Sequence, residues 1–534
     1  MRIKIISALL ITGCLFTISC QKKVLDLQPY TSFSDESAFS TPARVLLALN
    51  GVYDACQSGF YAGGAVRGYP FGAANVAQGD MRGEDMMNQA AFYQITYEAT
   101  YNNASPNCSY QFQTIYSMVN KANLTIDGIK AAGASGSISS TDALQFEAEC
   151  RFLRAFGHHE LVLQYSKPYA EGNGSQMGII YRDFAINGDA TSAQARAIKR
   201  STIKVSDTYA KILADLDFAE TNLAATNTGT GLSTYRATKA AAIALKMRVK
   251  MHKGDWAGVI TEGNKIVSGT APNFSSPIGG WKLTAAPDGP FTNNLSTESV
   301  FSIKNDATDN PGVNGALAQM YGDPALAARG LVRVSPVIWS DPDWKCTDLR
   351  RSLLYRTGGT PVNAVYTTKY RDYATTSDAC PQIRYAEILL TLAEAEARQA
   401  AGTTVSTRAV DLLNAVRNRS VAVIDQFTVA SFANKNALIA AILKERRIEF
   451  LAEGKRWGDI SRLALDPDFP PIAGGGIPSK VGSGAATAAM FNCAGGVTIT
   501  RSIAAIPYSN FKFLWPIPIE EIQQNTNYDQ NPNY

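Results

Sequence analysis

The sequence predicts a mainly α-helical protein in which helix pairs form a scaffold and long irregular loops, with little β-structure, lie between them. Three observations carry this. Apolar residues recur at three- and four-residue spacing in stretches spread over most of the 534 residues. Proline or glycine stands where those stretches end, at Pro168, Gly254, Gly402 and Gly454. The segments 59–100, 269–380 and 466–510 are rich in Gly, Pro, Asn, Asp and Ser, and loops of that length are usually functional.

The first helix follows Ser40-Thr41-Pro42 and carries Val45, Leu46, Leu49, Val52 and Tyr53. A second spans about 112–129. A third, 143–165, aligns Phe146, Cys150, Leu153, Phe156, Leu161 and Tyr165 and stops before Pro168. A fourth, 205–223, has Tyr209, Ile212, Leu213, Leu216 and Leu223 on one face, with Ser206 as the expected N-cap. Residues 238–253 and 256–268 form two helices joined by Gly254-Asp255, and alanines on the first permit close approach. That is the helix–turn–helix unit of a tetratricopeptide-like repeat, although no 34-residue period survives along the chain. Three further helices are expected at 385–401, 407–419 and 432–453.

The N-terminus has the layout of an export signal. Arg2 and Lys4 precede an apolar stretch, Ile5 to Ile18, that is too short to span a bilayer. Ser19-Cys20 then resembles a lipobox, in which Cys20 takes a thioether-linked lipid and becomes the first mature residue. The alternative is an ordinary secretory signal with Cys20 as a bystander. The formal charge of +4 falls to +2 without Arg2 and Lys4, which argues against nucleic acid or a polybasic membrane surface as partner. An apolar fraction of 46% argues against disorder. Among the other cysteines, Cys346 and Cys380 sit in loop-like sequence and are the candidate disulfide pair, whereas Cys150 in a helix reads as a buried thiol.

Catalytic signatures are missing from the sequence: there is no GxSxG, P-loop, GxGxxG or HExxH. His158 and His159 are adjacent and face different sides of a helix, which disfavours joint metal ligation. Neither a metal nor a cofactor is expected. The densest carboxylate pattern is Glu445, Glu449 and Glu453, four residues apart on one expected helix face. Like charges at that spacing repel unless cations lie opposite. Arg417, Arg419, Arg446, Arg447 and Arg456 are the candidates, so the stripe is read as a structural network and not as an acid–base pair.

The ordered motifs resemble the SusD/RagB family of bacterial outer-membrane lipoproteins. After Cys20 come Val24-Leu25-Asp26-Leu27-Gln28-Pro29, then Ala148-Glu149-Cys150-Arg151-Phe152-Leu153-Arg154-Ala155, Asp215-Leu216-Asp217-Phe218-Ala219 and Arg236-Ala237-Thr238-Lys239. Ile383-Arg384-Tyr385-Ala386-Glu387 and Leu413-Asn414-Ala415-Val416-Arg417 follow. The stretch Glu445 to Trp457 then matches an ERR-x-E-x-x-x-E-G-x-R-W pattern. The ending Leu514-Trp515-Pro516-Ile517-Pro518 and Asn531-Pro532-Asn533-Tyr534 is similar too, with Asn533 where a glycine is usual.

The resemblance implies a signal at 1–19 and one SusD-like α-superhelix over 20–534. Its N-terminal part would cover about 20–230 and its C-terminal part about 270–534. It implies a lipid-anchored, surface-exposed, non-enzymatic protein of the outer membrane. Such a protein captures oligosaccharide, or in some members peptide, for a SusC-type TonB-dependent barrel; a surface glycosidase is the remaining alternative. Ligand contacts are expected from the first loop, at Asn75, Asp80, Arg82 and Tyr93, and from the segment after the repeats, at Trp281, Asn314, Tyr321 and Trp339. Aromatic faces there would stack on sugar rings while polar side chains bind hydroxyls.

Overall fold

The computed structural model describes residues 35–57, 68–358 and 364–534. The expected signal, Cys20 and the stretch 24–29 lie outside the described residues. Among the described residues these helices carry the fold: α1 Pro42–Gln57, α2 Ala73–Met81, α3 Ala91–Tyr97, α4 Pro106–Ala134, α5 Ser140–Tyr165, α6 Val205–Asn222, α7 Lys239–Lys253, α8 Trp256–Ile266, α9 Tyr385–Gln399, α10 Thr407–Arg417, α11 Lys435–Glu449 and α12 Arg456–Leu463. Each expected helix is present, and the ends shift for identifiable reasons. Ser139 Oγ accepts the Asp142 N–H at 3.0 Å and starts α5 three residues early. At α6 the cap is not Ser206. Lys204 holds the N-cap position and Asp207 Oδ2 accepts the Lys204 N–H at 2.9 Å. Helix α11 ends at Glu449, so Glu453 lies beyond the helix and not on its face.

The helices stack in chain order, α1 on α4, α4 on α5, α5 on α6, α6 on α7, α7 on α8 and α8 on α9, with α10 and α11 against α9. Their buried faces merge into one large core. Small residues set the closest approaches: a Cβ at Gly157 would lie 2.8 Å from Met118 Cε and 3.0 Å from Ile115 Cγ2, so a side chain there would push the facing α4 side chains aside. Among the described residues no helix is long and apolar enough to cross a membrane.

Among the described residues four antiparallel strand pairs sit beside this stack. The strands are β1 Met86–Asn88, β2 Ser299–Ile303, β3 Val332–Val334, β4 Tyr355–Thr357, β5 Val365–Thr367, β6 Cys380–Arg384, β7 Gly476–Ile477 and β8 Ile506–Pro507. They pair as β1–β3, β2–β6, β4–β5 and β7–β8. The candidate pair Cys346–Cys380 is not formed. Cys346 is bonded to Cys493, across 147 residues and a Cα separation of 5.1 Å. Cys380 is a buried thiol in β6, where Gln382 Nε2 donates to its sulfur at 3.3 Å. Strand pairing with β2 holds Cys380 inside, away from the loop that carries Cys346.

The glutamate stripe is buried in an ion network. Glu445 meets Arg350 (2.6 Å) and Arg417 (3.0 Å). Glu449 meets Arg350 (3.0 Å), Arg384 (3.0 Å) and Arg419 (2.8 Å). Glu453 meets Arg384 (2.8 Å) and Lys369 (2.6 Å). Asp348 and Glu298 complete it, on Arg350 (2.7 Å) and Arg419 (2.6 Å). Only Arg417 and Arg419 of the five expected arginines join in. Arg446 pairs with Asp459 at 3.2 Å, and Arg447 and Arg456 reach the first loop. Burial alone would raise the Glu449 carboxyl, but Arg419, Arg384 and Arg350 overcome that and hold it far below the usual range.

His158 and His159 are both buried inside α5. His158 Nδ1 faces Arg154 O at 2.8 Å while Nε2 accepts the Arg182 N–H at 3.0 Å, so the ring is neutral and burial lowers its pKa to about 3. His159 packs edge-on to His252, with centroids 5.1 Å apart. Among the described residues no three metal-binding side chains gather in one place.

Candidate ligand-binding face

The first loop is fixed by the last helices. Arg447 Nη2 donates to Glu84 Oε1 at 3.0 Å and Arg447 Nε to Asp85 Oδ2 at 3.0 Å; Arg456 Nη2 adds a bond to Glu84 Oε1 at 2.7 Å. Burial would raise the Glu84 carboxyl, yet Arg456 and Arg447 hold it at about 2. One turn earlier, a Cβ at Gly79 would stand 2.2 Å from Gly454 O, and this close approach lets Asp80 Oδ1 accept the Gly454 N–H at 3.0 Å.

The clamp delivers β1 directly onto β3, with Met87 opposite Arg333, and the Gln89 N–H continues the pairing to Leu331 O at 2.9 Å. Strand β5 packs beside β3. The two expected loop regions therefore meet at one face, although more than 200 residues separate β1 from β3. On it the Arg333 guanidinium lies 5.3 Å from the centre of the Tyr366 ring. The Arg333 Nε and the Tyr366 hydroxyl are enclosed, and neither has a hydrogen-bond partner among the described residues. Next to them the Arg329 Nη1 donates to Asn314 Oδ1 at 2.5 Å. The Arg329 N–H bonds Gln319 O (2.9 Å), and Gln319 Nε2 bonds Tyr373 O (2.9 Å), which fixes the half-buried Tyr373 at the same edge. Tyr366 is fully buried beneath the face and the Tyr373 ring is half-buried at its edge; guanidinium donors, an amide and one accessible tyrosine in one place suit a polyhydroxylated ligand.

Of the sequence-expected contacts, Asn314 is exposed on this face. Asn75 is half-buried on α2 and lines an internal cleft of about 50 Å3 with Glu160, Arg248 and Gln382. That cleft has room for water and not for a sugar ring. Asp80 is buried and accepts the Tyr321 hydroxyl at 2.6 Å; burial pushes its pKa up to about 7, against the pull of Tyr321 and Gly454. Tyr321 is itself fully enclosed and shows no ring face to solvent. Arg82 is buried 3.4 Å above the Trp457 ring and donates to Gln164 Oε1 at 2.8 Å. Tyr93 and Trp281 are buried as well. Trp339 is half-buried, edge-on to Trp344 with centroids at 5.3 Å and beneath Arg351.

Arg329, Arg333, Tyr366 and Tyr373 were not singled out by the sequence. Three-residue strands leave no period-2 signal to find. The packing of β5 beside β3 and the bonds from Arg329 through Gln319 to Tyr373 gather them.

Comparison with known proteins agrees with this architecture. A family model described as "SusD family" matches residues 354–534, and one described as "Starch-binding associating with outer membrane" matches 25–251. SusD-like protein P38 of Formosa agariphila is 24% identical over 490 residues, covering 83% of this chain and 88% of that protein. A SusD superfamily protein from Bacteroides fragilis superposes with a TM-score of 0.73 at 27% identity, covering 92% of this chain and all of that one. The surface glycan-binding protein A of Bacteroides uniformis, at 17% identity, shares the fold with a TM-score of 0.64 over 92% of this chain and 99% of its own. With two matched segments that together contain most of the stacked helices and a common superhelix throughout, the chain belongs to the SusD/RagB family.

Proposed function

We propose that this protein is a cell-surface lipoprotein that binds oligosaccharide and passes it, chemically unchanged, to a SusC-type TonB-dependent outer-membrane barrel. The observation that carries this reading is the packing of β5 beside β3, the strand that pairs with β1. It sets Arg333, Asn314 and Arg329 beside Tyr366 and Tyr373, on a member of a family described as starch-binding and associated with the outer membrane. In this reading residues 1–19 are the signal, Cys20 carries the lipid, and 20–534 is one domain with parts at about 20–230 and 270–534. Asn314 is the sequence-expected residue retained as a ligand contact.

The test is made on intact cells of the native host type. Wild-type protein should fractionate with the outer membrane, co-purify with a large β-barrel protein, and be retarded in native gels cast with a neutral polysaccharide. Cys20→Ala should be released from the membrane while remaining folded. Retardation by none of a broad glycan panel, together with capture of peptides, would replace the glycan reading with peptide uptake.

A further inference from the structure

A second pocket, away from the β1–β3 face in its lining residues, is built for a charge. It has a volume of about 240 Å3 and lies between α4, the segment 182–196 and the C-terminal residues 521–528. Two arginines line it. Arg182 is 8% exposed, and its Nη1 donates to Ala195 O at 2.6 Å. Its Nη2 and Nε have no acceptor among the described residues. Arg196 is exposed on the rim, and its guanidinium has no hydrogen bond or ion pair among the described residues. Buried Arg154, Arg248, Arg384 and Arg462 sit on carboxylates. Among the described residues buried Arg200, which has none, places all three of its guanidinium nitrogens on carbonyl or amide oxygens, whereas Arg182 keeps two without an acceptor. Glu521 is the one carboxylate of the lining, and its Oε1 already accepts from Asn525 Nδ2 at 3.1 Å.

The walls are set before any ligand arrives. Asn120 is locked by two bonds to Ile186, Nδ2 to O at 3.0 Å and Oδ1 from N–H at 2.8 Å. Tyr116 donates to Ile180 O at 2.9 Å and its hydroxyl lies 2.8 Å from that of Tyr528. Two cations against one engaged carboxylate leave the pocket net positive, and the planar guanidinium fork matches carboxylate and sulfate oxygens. The volume falls below the ~300–1,000 Å3 of pockets that enclose drug-sized ligands, so it takes one ring and not a chain. We propose that this pocket binds a single sugar ring bearing one anionic group, a carboxylate or a sulfate ester, at a site separate from the β1–β3 face. The sugar class rests on the function proposed above, while the demand for an anion rests on Arg182 and Arg196 alone.

Calorimetry with galacturonate, a sulfated galactose, neutral galactose and inorganic sulfate tests it, using wild type, Arg196→Gln and Arg182→Gln. At least one anionic sugar should bind where galactose does not. Arg196→Gln should weaken that binding about tenfold, the scale of one lost charge-assisted hydrogen bond, and leave neutral-oligosaccharide binding at the wild-type level. Because Arg196 is exposed, that variant keeps the test intact if Arg182→Gln fails to fold. Absence of binding by both anionic sugars, or equal affinity in Arg196→Gln, overturns the proposal. Inorganic sulfate binding as tightly as the sulfated sugar overturns the sugar-ring part of it. Loss of oligosaccharide binding with anionic-sugar binding intact would instead count against the β1–β3 face.

Discussion

Arg384 grips Glu453 with two parallel bonds, Nε to Oε2 and Nη2 to Oε1, each 2.8 Å long. The pair joins β6 to the turn after α11, and both partners are only about 2% exposed. Because Arg384 also holds Glu298 (2.5 Å) and Glu449 (3.0 Å), removing any one carboxylate leaves buried positive charge uncompensated. The network therefore fixes a geometry: β6, α10 and α11 are held together, and α11 presents Arg447 to the first loop.

Glu449→Gln should lower the melting temperature by several degrees, since breaking one member of a buried ionic group costs about 3–5 kcal/mol. Glycan affinity should change far less, because Glu449 lies in the interior. A thermal melt paired with a binding titration decides it, and unchanged stability with lost binding would make the stripe a ligand site.

Acid should loosen the first loop. The folded Glu84 carboxyl titrates at about 2, against ~4.3 unfolded. Between those values the unfolded chain binds more protons, so stability is lost as pH falls from ~4.3 toward about 2. Melting temperatures from pH 6 to pH 3 should fall more steeply for wild type than for Glu84→Gln. Parallel curves would dissociate Glu84 from the acid response.

Asp80 has the opposite sign. Its folded pKa of about 7 exceeds the ~3.9 of the unfolded chain, so its contribution weakens as pH rises between those values. Asp80→Asn removes the buried charge, with a benefit of at most about 4 kcal/mol. The melting temperature of the variant relative to wild type should improve from pH 5 to pH 8. A difference independent of pH would mean that Tyr321 and Gly454 already hold the charge without cost.

The helical scaffold was legible because amphipathic periodicity and caps are local. Thr238 caps the Ala241 N–H as the start of α7, and Pro168 follows the end of α5. The glutamate stripe was legible as structural, but Arg350, Arg384 and Lys369 were not seen among its partners, since they lie 65–99 residues away in sequence from the carboxylates they meet. The binding face was least legible. Its strands are three residues long and pair across the whole scaffold, and polar loop residues such as Asp80 and Arg82 looked exposed when in fact Tyr321 and Trp457 enclose them.

Cutting the Cys346–Cys493 bond should destabilise the segment around Trp344. A bridge that closes 147 residues constrains the unfolded chain strongly, and losing such bonds costs about 2–5 kcal/mol. Cys346→Ser should melt lower than wild type, and wild type with reductant should approach it. No shift in either sample would show that Ser340, whose hydroxyl donates to Met490 O at 2.6 Å, and its neighbours hold the segment unaided.

The most direct test of the central claim is calorimetry of purified protein against neutral oligosaccharides, with Arg333→Ala and Tyr373→Ala beside wild type and chromatography of the recovered ligand. Wild type should bind at least one oligosaccharide weakly, as befits a few ring contacts of about 0.5–1.5 kcal/mol each. Both variants should lose affinity several-fold while keeping the wild-type fold, and the ligand should return unchanged. Binding that is indifferent to both substitutions, or an oligosaccharide recovered cleaved, would contradict the account.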